Sequence, residues 1–299
     1  MENLRAAALM VASMLFFAIE DMFVKWLSGD LSVGLILAVL GLGGGTIFAL
    51  TAKARGDRLI SRALLTGPVI LRNLGEMMGT MGFVLAIALT PLASATAILQ
   101  AIPLAVTLGA ALFMGASVGW RRWLAIVVGF LGVLLVIRPG FDAFEPASLF
   151  AVQGVIGLAI RDLATRASPK SVSSMQLSAY GFLSIVPVGI AMMAVTGVGT
   201  IPNAAHIGSF IGALVAGVAG YYMIVATMRI GDVAVVTPFR YSRLIFALVV
   251  GAVVFGEKPD TLTLVGAAII VASGLYTLMR EARLGRQARK TRIASLSRP

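Results

Sequence analysis

Apolar runs of about 20 residues, the helical length that crosses a bilayer core, recur along this whole chain between short polar breaks. They predict ten membrane helices, over 4–27, 32–53, 66–89, 93–115, 120–138, 147–166, 174–196, 207–229, 233–255 and 261–280. The breaks carry turn chemistry: Ser28-Gly29-Asp30, Arg55-Gly56-Asp57, Thr90-Pro91, Arg138-Pro139-Gly140, Ser168-Pro169, Ile201-Pro202-Asn203 and Lys258-Pro259-Asp260. Several are only a few residues long, so neighbouring helices run antiparallel. The period-2 alternation of a membrane barrel strand is absent. Ala6 to Ile19 resembles a signal-peptide core, but no A-x-A cleavage site follows it and the apolar stretch continues through Glu20 and Asp21 to Trp26. It reads as the first membrane helix.

Composition sharpens this picture. The chain is 59% hydrophobic and only 12% charged, against about 25% charged in soluble domains, so lipid must solvate much of its surface. The fold class is an all-α polytopic membrane protein with no separate soluble domain. The chain has no cysteine and a single histidine, His206, in a predicted loop. Disulfides, iron–sulfur clusters and thiolate zinc sites are excluded, and no cofactor or metal is expected. There is no G-x-x-x-x-G-K-[ST] loop and no H-E-x-x-H. Neither direct ATP drive nor intramembrane hydrolysis has its usual parts, and the chain does not read as an enzyme.

Charge sets direction. One side of the ten-helix plan carries seventeen Lys and Arg, from Arg5 through the 53–62 loop to the basic tail, and the other carries only Lys25, Arg138 and Lys258. The positive-inside rule then puts both termini in the cytoplasm. The same asymmetry accounts for the net charge of +11 without a nucleic-acid partner. The tail, 282–299, is positioned to meet anionic lipid headgroups.

The halves resemble each other. SATAILQAIPLAVTLGAALFMGA (94–116) and VVTPFRYSRLIFALVVGAVVFGE (235–257) align at an offset of 141, placing Thr96 on Thr237, Gly109 on Val250 and Gly115 on Gly256. The units are 1–143 and 144–281, each with five helices. An odd helix count makes the second half enter from the opposite side, so the repeats are inverted. That plan suits alternating access around a site near the midplane.

The stretches RNLGEMMGTMGFVLAIALTPLASATAILQAIP (72–103), MGASVGWRRWLAIVVGFLGVLLVIRPG (114–140) and VVFGEKPDTLTLVGAAIIVASGLYTLMRE (253–281) resemble the drug/metabolite transporter superfamily, specifically its EamA-type permeases with two five-helix repeats. The resemblance implies export or uptake of amino acids and related metabolites across a prokaryotic inner membrane. Two positions depart from the family pattern. Glu257 keeps the Glu that often follows Gly at the end of the fourth helix, whereas Ala116 replaces it in the first half. The second helix, AVLGLGGGTIF, lacks the Arg often found near its middle.

Eight charges fall inside the spans and balance: Glu20, Asp21, Glu76 and Asp162 against Arg72, Arg161, Arg240 and Arg243. An unpaired charge at the centre of a membrane helix costs at least about 2.5–3.5 kcal/mol. Helical spacing pairs Arg72 with Glu76, Asp162 with Arg166 and Asp21 with Lys25; Glu20, Arg240 and Arg243 have no such local partner. Arg240 and Arg243 lie about 10 and 15 Å inside the ninth helix. Arg243 must therefore meet either a carboxylate on the first, third or sixth helix or the carboxylate of a substrate.

Further candidates for the transport path are Asn73, Met77, Thr80 and Met81 on one stripe of the third helix, Gln100 before Pro103, and Tyr221 and Tyr222 in the eighth helix. Ordinary packing and interhelical hydrogen bonds are the competing readings for each. Gly75-x-x-x-Gly79 and Gly208-x-x-x-Gly212 are close-packing signals. The function expected is a secondary transporter exporting amino-acid-like metabolites, with Glu20, Asp21 or Glu76 available to couple protons. The alternatives are an importer of a nucleoside-like or sulfonium metabolite, and a non-transporting scaffold or sensor.

Overall fold

Helix follows helix through the computed structural model, which describes residues 2–116, 118–141, 144–197, 199–230 and 233–296. The first half comprises α1 (Glu2–Leu27), α2 (Val33–Ala54), α3 (Gly67–Leu89), α4 (Leu92–Leu99), α5 (Ile102–Phe113) and α6 (Trp120–Ile137). The second comprises α7 (Ser148–Ala167), α8 (Ser174–Thr196), α9 (Ala204–Ile230), α10 (Val233–Val236), a 3₁₀ turn (Thr237–Tyr241), α11 (Ser242–Phe255) and α12 (Thr261–Leu296). Among the described residues, nine helical segments are long and apolar enough to cross a bilayer. The tenth span is α3, 23 residues long and packed along α7. Leu131, Ile211 and Ile245 are each more than half exposed, as side chains dissolved in lipid are. The basic tail continues α12 as helix to Leu296.

The repeats are inverted. Thr227 Oγ1 donates to the Ala6 carbonyl at 3.3 Å, so the start of α1 lies beside the end of α9. The end of α1 lies on the opposite face, where Lys25 Nζ reaches the Thr90 carbonyl at 2.7 Å and His206 meets Asp30 at 3.2 Å. That is also the face where α6 ends and α7 begins, because Arg138 pairs there with Asp260. The helix before the first repeat's core thus runs one way, and its counterpart α7 runs the other. Neighbours obey the same two-fold relation: α1 packs on α9 as α7 packs on α3, while α2 pairs with α8 and α6 with α12.

The fourth and ninth spans, expected as continuous helices, are each broken near mid-depth. In the first half, α4 ends at Leu99 and α5 restarts at Ile102 with Pro103 in its first turn. In the second, α10 passes through a 3₁₀ turn containing Pro238 before α11 starts at Ser242. The offset of 141 carries Gln100 onto Tyr241, so the breaks are equivalent although the prolines are not. A proline removes one backbone donor and its ring crowds the preceding turn. Irregular backbone at this depth persists where it lines a protein cavity.

Close packing rests on glycine where α3 crosses α7. A Cβ on Gly157 would lie 2.3 Å from the Gly79 nitrogen, and one on Gly75 would lie 2.7 Å from the Arg161 nitrogen. The Gly75-x-x-x-Gly79 signal is a helix contact. In the other signal only Gly212 packs, against the Phe23 ring; nothing lies within 4 Å of a Cβ built on Gly208. Gly157→Ala is expected to destabilise the protein by about 1–3 kcal/mol, because backbone must move. Gly208→Ala should stay within about 0.5 kcal/mol. Thermal unfolding of the detergent-solubilised variants measures both, and equal melting temperatures would contradict the packing argument.

Candidate functional site

The two broken helices meet at a cavity of about 220 Å³. Gln100, Pro103 and Thr107 form one wall, and Thr237, Arg240 and Tyr241 form the wall opposite in the repeat. α1 adds Met14 and Phe17, and α7 adds Asp162 and Arg166. The lining continues to Ala116, Val118 and Arg122, the loop on the face where α1 starts. The lining therefore mixes polar and charged groups at the two breaks and on α7 with apolar surface from α1 and α5.

The charges around it are mostly partnered. Asp21 grips Arg243 with both oxygens: Arg243 Nη2 donates to Oδ1 at 2.7 Å and Nε donates to Oδ2 at 3.0 Å. The guanidinium also lies 5.3 Å from the ring centres of Phe17 and Phe83. Of the two partners open to Arg243, the first-helix carboxylate takes it. Glu76 bridges Arg72 at 3.5 Å and Arg161 at 3.3 Å, and Arg161 reaches Asp162 at 2.8 Å. Gly181 of α8 makes room for this cluster, since a Cβ there would lie 2.7 Å from Arg72 Nη1.

Two charges stand apart. Among the described residues, no carboxylate lies within ion-pair distance of Arg240, which faces the cavity. Glu20 packs against Gly217, where a Cβ would come within 2.6 Å of its Oε1. A second repeat signal explains this pattern and was missed in the sequence. At the same offset of 141, AIEDMFVK (18–25) aligns with AIRDLATR (159–166). Asp21 then corresponds to Asp162, Lys25 to Arg166 and Glu20 to Arg161, while Glu76 corresponds to Gly217. Where one half has the Arg161–Glu76 bridge, the other has the Glu20 carboxylate against a glycine.

The far end of the cavity is latched. Glu257 accepts from the first amides of α4, Leu92 N at 2.7 Å and Ala93 N at 3.2 Å, and pairs with Lys25 at 3.3 Å. A carboxylate at a helix N-terminus satisfies free donors and meets the positive end of the helix dipole. Lys25 also donates to the Ile87 carbonyl at 3.0 Å, so it serves α3 and Glu257, not the expected Asp21. Nearby, Arg138 takes a left-handed backbone (φ 55°) and binds both Asp260 and Thr263. The hydrogen bond from Arg138 and that from the Thr263 amide pull the Asp260 carboxyl down to about 2. This second latch stays charged at any physiological pH.

The cavity wall holds Gln100, Arg240, Arg243 and Asp162 of the residues expected on the transport path. It does not include Asn73, Met77, Met81, Tyr221 or Tyr222. Asn73 accepts from Arg72 at 3.3 Å, and Met81 packs on the hydrophobic core. Tyr221 bonds Ser178 and lies edge-on to Phe48, whereas Tyr222 is 63% exposed toward lipid.

Comparison with known proteins gives a consistent setting. The sequence profile of the EamA-like transporter family matches residues 4–138 and again 146–279. The chain is 25% identical over 212 residues to a protein named S-adenosylmethionine uptake transporter from Rickettsia bellii, covering 71% of this chain and 72% of that one. It is 25% identical over 280 residues to a riboflavin transporter from Rhizobium johnstonii, covering 93% and 92%. It is 28% identical over 239 residues to a riboflavin transporter from Vibrio cholerae, covering 79% and 80%. A solved structure described only as "Crystal structure of protein" superposes with a TM-score of 0.60 at 17% identity, over 94% of this chain and 99% of that one; it shows the fold alone.

The Asp21–Arg243 pair predicts a non-additive cycle. Removing either partner alone strands a buried charge and should destabilise by about 3–5 kcal/mol. Asp21→Ala and Arg243→Ala combined should be milder than the sum of the two. Melting curves in detergent give the coupling, and strict additivity would show that the two side chains do not depend on each other.

Proposed function

Because the chain belongs to the EamA-like transporter family, we propose that it is a secondary transporter that moves amino acids or similar small metabolites by alternating access. The observation that carries this reading is Arg240, a guanidinium facing a mid-depth cavity beside Asp162 but with no carboxylate in direct ion-pair contact among the described residues. A buried cation is costly unless something neutralises it, and a substrate carboxylate does so bidentately. Asp162 complements it: Arg161 holds the carboxylate at Oδ1, and the group lines the cavity where a substrate ammonium would sit. The cavity, about 220 Å³, is smaller than the roughly 300–1,000 Å³ that encloses drug-sized ligands. That size favours an amino-acid-like cargo.

In this reading the protein sits in a prokaryotic inner membrane with both termini cytoplasmic, on the strength of the Lys and Arg asymmetry. The basic tail rests near anionic headgroups, and no covalent chemistry is performed. The cavity lining runs toward the positive face, as loading for export requires. Glu20 is the carboxylate best placed to carry a proton, having lost the counterpart of the Arg161–Glu76 bridge. A second reading is uptake of a sulfonium or flat heterocyclic metabolite; the names of the S-adenosylmethionine and riboflavin relatives favour it.

Proteoliposomes decide between these. Arg240→Ala should cut amino-acid flux about 10–100-fold, the equivalent of about 1.5–3 kcal/mol for a lost charged hydrogen bond, with folding intact. Arg240→Lys should recover part of it. If wild type moves no amino acid but takes up a sulfonium or flavin compound, the second reading replaces the first. An imposed pH gradient that leaves flux unaltered would remove proton coupling.

A further inference from the structure

A second cavity, of about 260 Å³, lies at the latched end of the molecule. Pro91 and Ser94, at the start of α4, line it together with Arg138, Glu257 and Asp260. The other end of α4 lines the first cavity, through Leu99 and Gln100. One eight-residue helix therefore runs from one cavity to the other, rising about 7.5 Å between Ser94 and Leu99. Between its two ends it is dry: Ala95, Thr96, Ala97 and Ile98 are each at most 1% exposed. α4 packs there against α7 and α11, both of the second half. It stands between the halves as well as between the cavities.

Resting on the transport reading above, we propose that α4 is the gate between the two cavities, that Glu257 latches it shut, and that cargo passes from one cavity to the other when the latch parts. Glu257 belongs to the second half, whereas the Leu92 and Ala93 amides and Lys25 that it binds belong to the first. Arg138 and Asp260 cross the same boundary. Opening this face by tilting one half against the other must break all of these ties. The backbone presents the latch: Glu257 N donates to the Gly251 carbonyl at 2.9 Å, which folds the end of α11 back on itself. Gly251 leaves the carboxylate its seat, since a Cβ there would lie 2.5 Å from Glu257 Oε2. The ties can part reversibly because the second cavity is lined by charged groups. Water entering it satisfies the freed amides and charges, which lipid could not do.

The chain has no cysteine, so single introduced thiols report access directly. Thr96→Cys places one in the dry stretch of α4 and Ser94→Cys one in the second cavity, both nearly isosteric; Ala110→Cys places one in the first cavity. The readout is the labelling rate with an impermeant maleimide, applied to one face of sealed vesicles at a time. From the latched face, Ser94→Cys is the reference, and Thr96→Cys should label slowly against it. Glu257→Gln should raise that Thr96-to-Ser94 ratio at least about 10-fold, because neutral hydrogen bonds replace charge-assisted ones. Gly251→Ala keeps the charge but crowds the carboxylate from its seat, and should act in the same direction. From the opposite face, both variants should slow Ala110→Cys, since opening one side closes the other. A merely loosened protein would label faster from both faces. If Glu257→Gln and Gly251→Ala leave the ratio unchanged, or speed labelling from both faces alike, this proposal falls, and the transport reading, measured separately by flux in proteoliposomes, stands. If wild type moves neither amino acids nor sulfonium or flavin compounds, the transport reading falls, and this proposal with it.

Discussion

Lipid offers no hydrogen bonds, so every polar group at mid-depth must be answered from within the protein. Nearly every feature of this molecule follows from that constraint. The backbone answers itself by forming helices. The charged side chains answer one another, as Asp21 and Arg243 do across α1 and α11, and as Arg72, Glu76, Arg161 and Asp162 do across α3 and α7. Where the chain abandons regular helix, at Gln100–Ala101 and through Thr237–Tyr241, it does so against a cavity. Gln100 and Tyr241, at the two breaks, each carry a buried polar atom without a partner among the described residues, as Thr96 does within α4 and Arg72 within α3.

Inverted repetition gives that arrangement a second layer. A charge and a glycine in one half stand where two opposite charges stand in the other: Glu20 and Gly217 against Arg161 and Glu76. The halves share a scaffold but not a charge pattern. The two-fold symmetry governs which helices pack together, because packing depends on small residues and shape. It does not govern the ion pairs, which depend on a few side chains that can diverge while the packing holds.

Much of the fold was legible from residues. Span lengths and the odd helix count per half led to the inverted plan, and the four-residue spacing of Arg72 and Glu76 gave a real pair. Pro238 ahead of Arg240 and Arg243 signalled a loosened ninth helix, but the matching break at Gln100–Ala101 was not legible, because Pro103 does not align with Pro238 and alone is compatible with a kinked helix. The partner of Lys25 was misread because spacing along one helix says nothing of a carboxylate 232 positions away; the cap on α4 and the α3 carbonyls outcompeted Asp21. Tyr222 was misjudged because depth along a helix is readable from sequence but azimuth is weakly so when the whole helix is apolar. Of the cavity lining, Arg240 and Gln100 were legible through polarity out of place. Tyr241 was not, since only the repeat offset that matches it with Gln100 points to it.

The asymmetry of the latches accounts for the face on which the cavity lining reaches the loops. At one end Glu257 joins three elements, capping α4 and pairing with Lys25, which in turn binds the end of α3. The repeat relation places Ala116 at the Glu257 position and Arg166 at the Lys25 position. Ala116 has no carboxylate to cap a helix, and Arg166 lies along the cavity wall instead of closing a bridge. The turn itself is preserved, with Gly115 and Gly256 both left-handed at φ 64° and 65°, so backbone geometry permits a latch at either end. Only the side chain differs. One face is therefore tied by a carboxylate cap with charge-assisted hydrogen bonds, which are about twice as strong as neutral ones, and the equivalent position on the other face has no such cap. The one substitution at position 116, visible in the sequence as a break in the family pattern, removes the capping carboxylate from that end while the glycine turn that would present it remains.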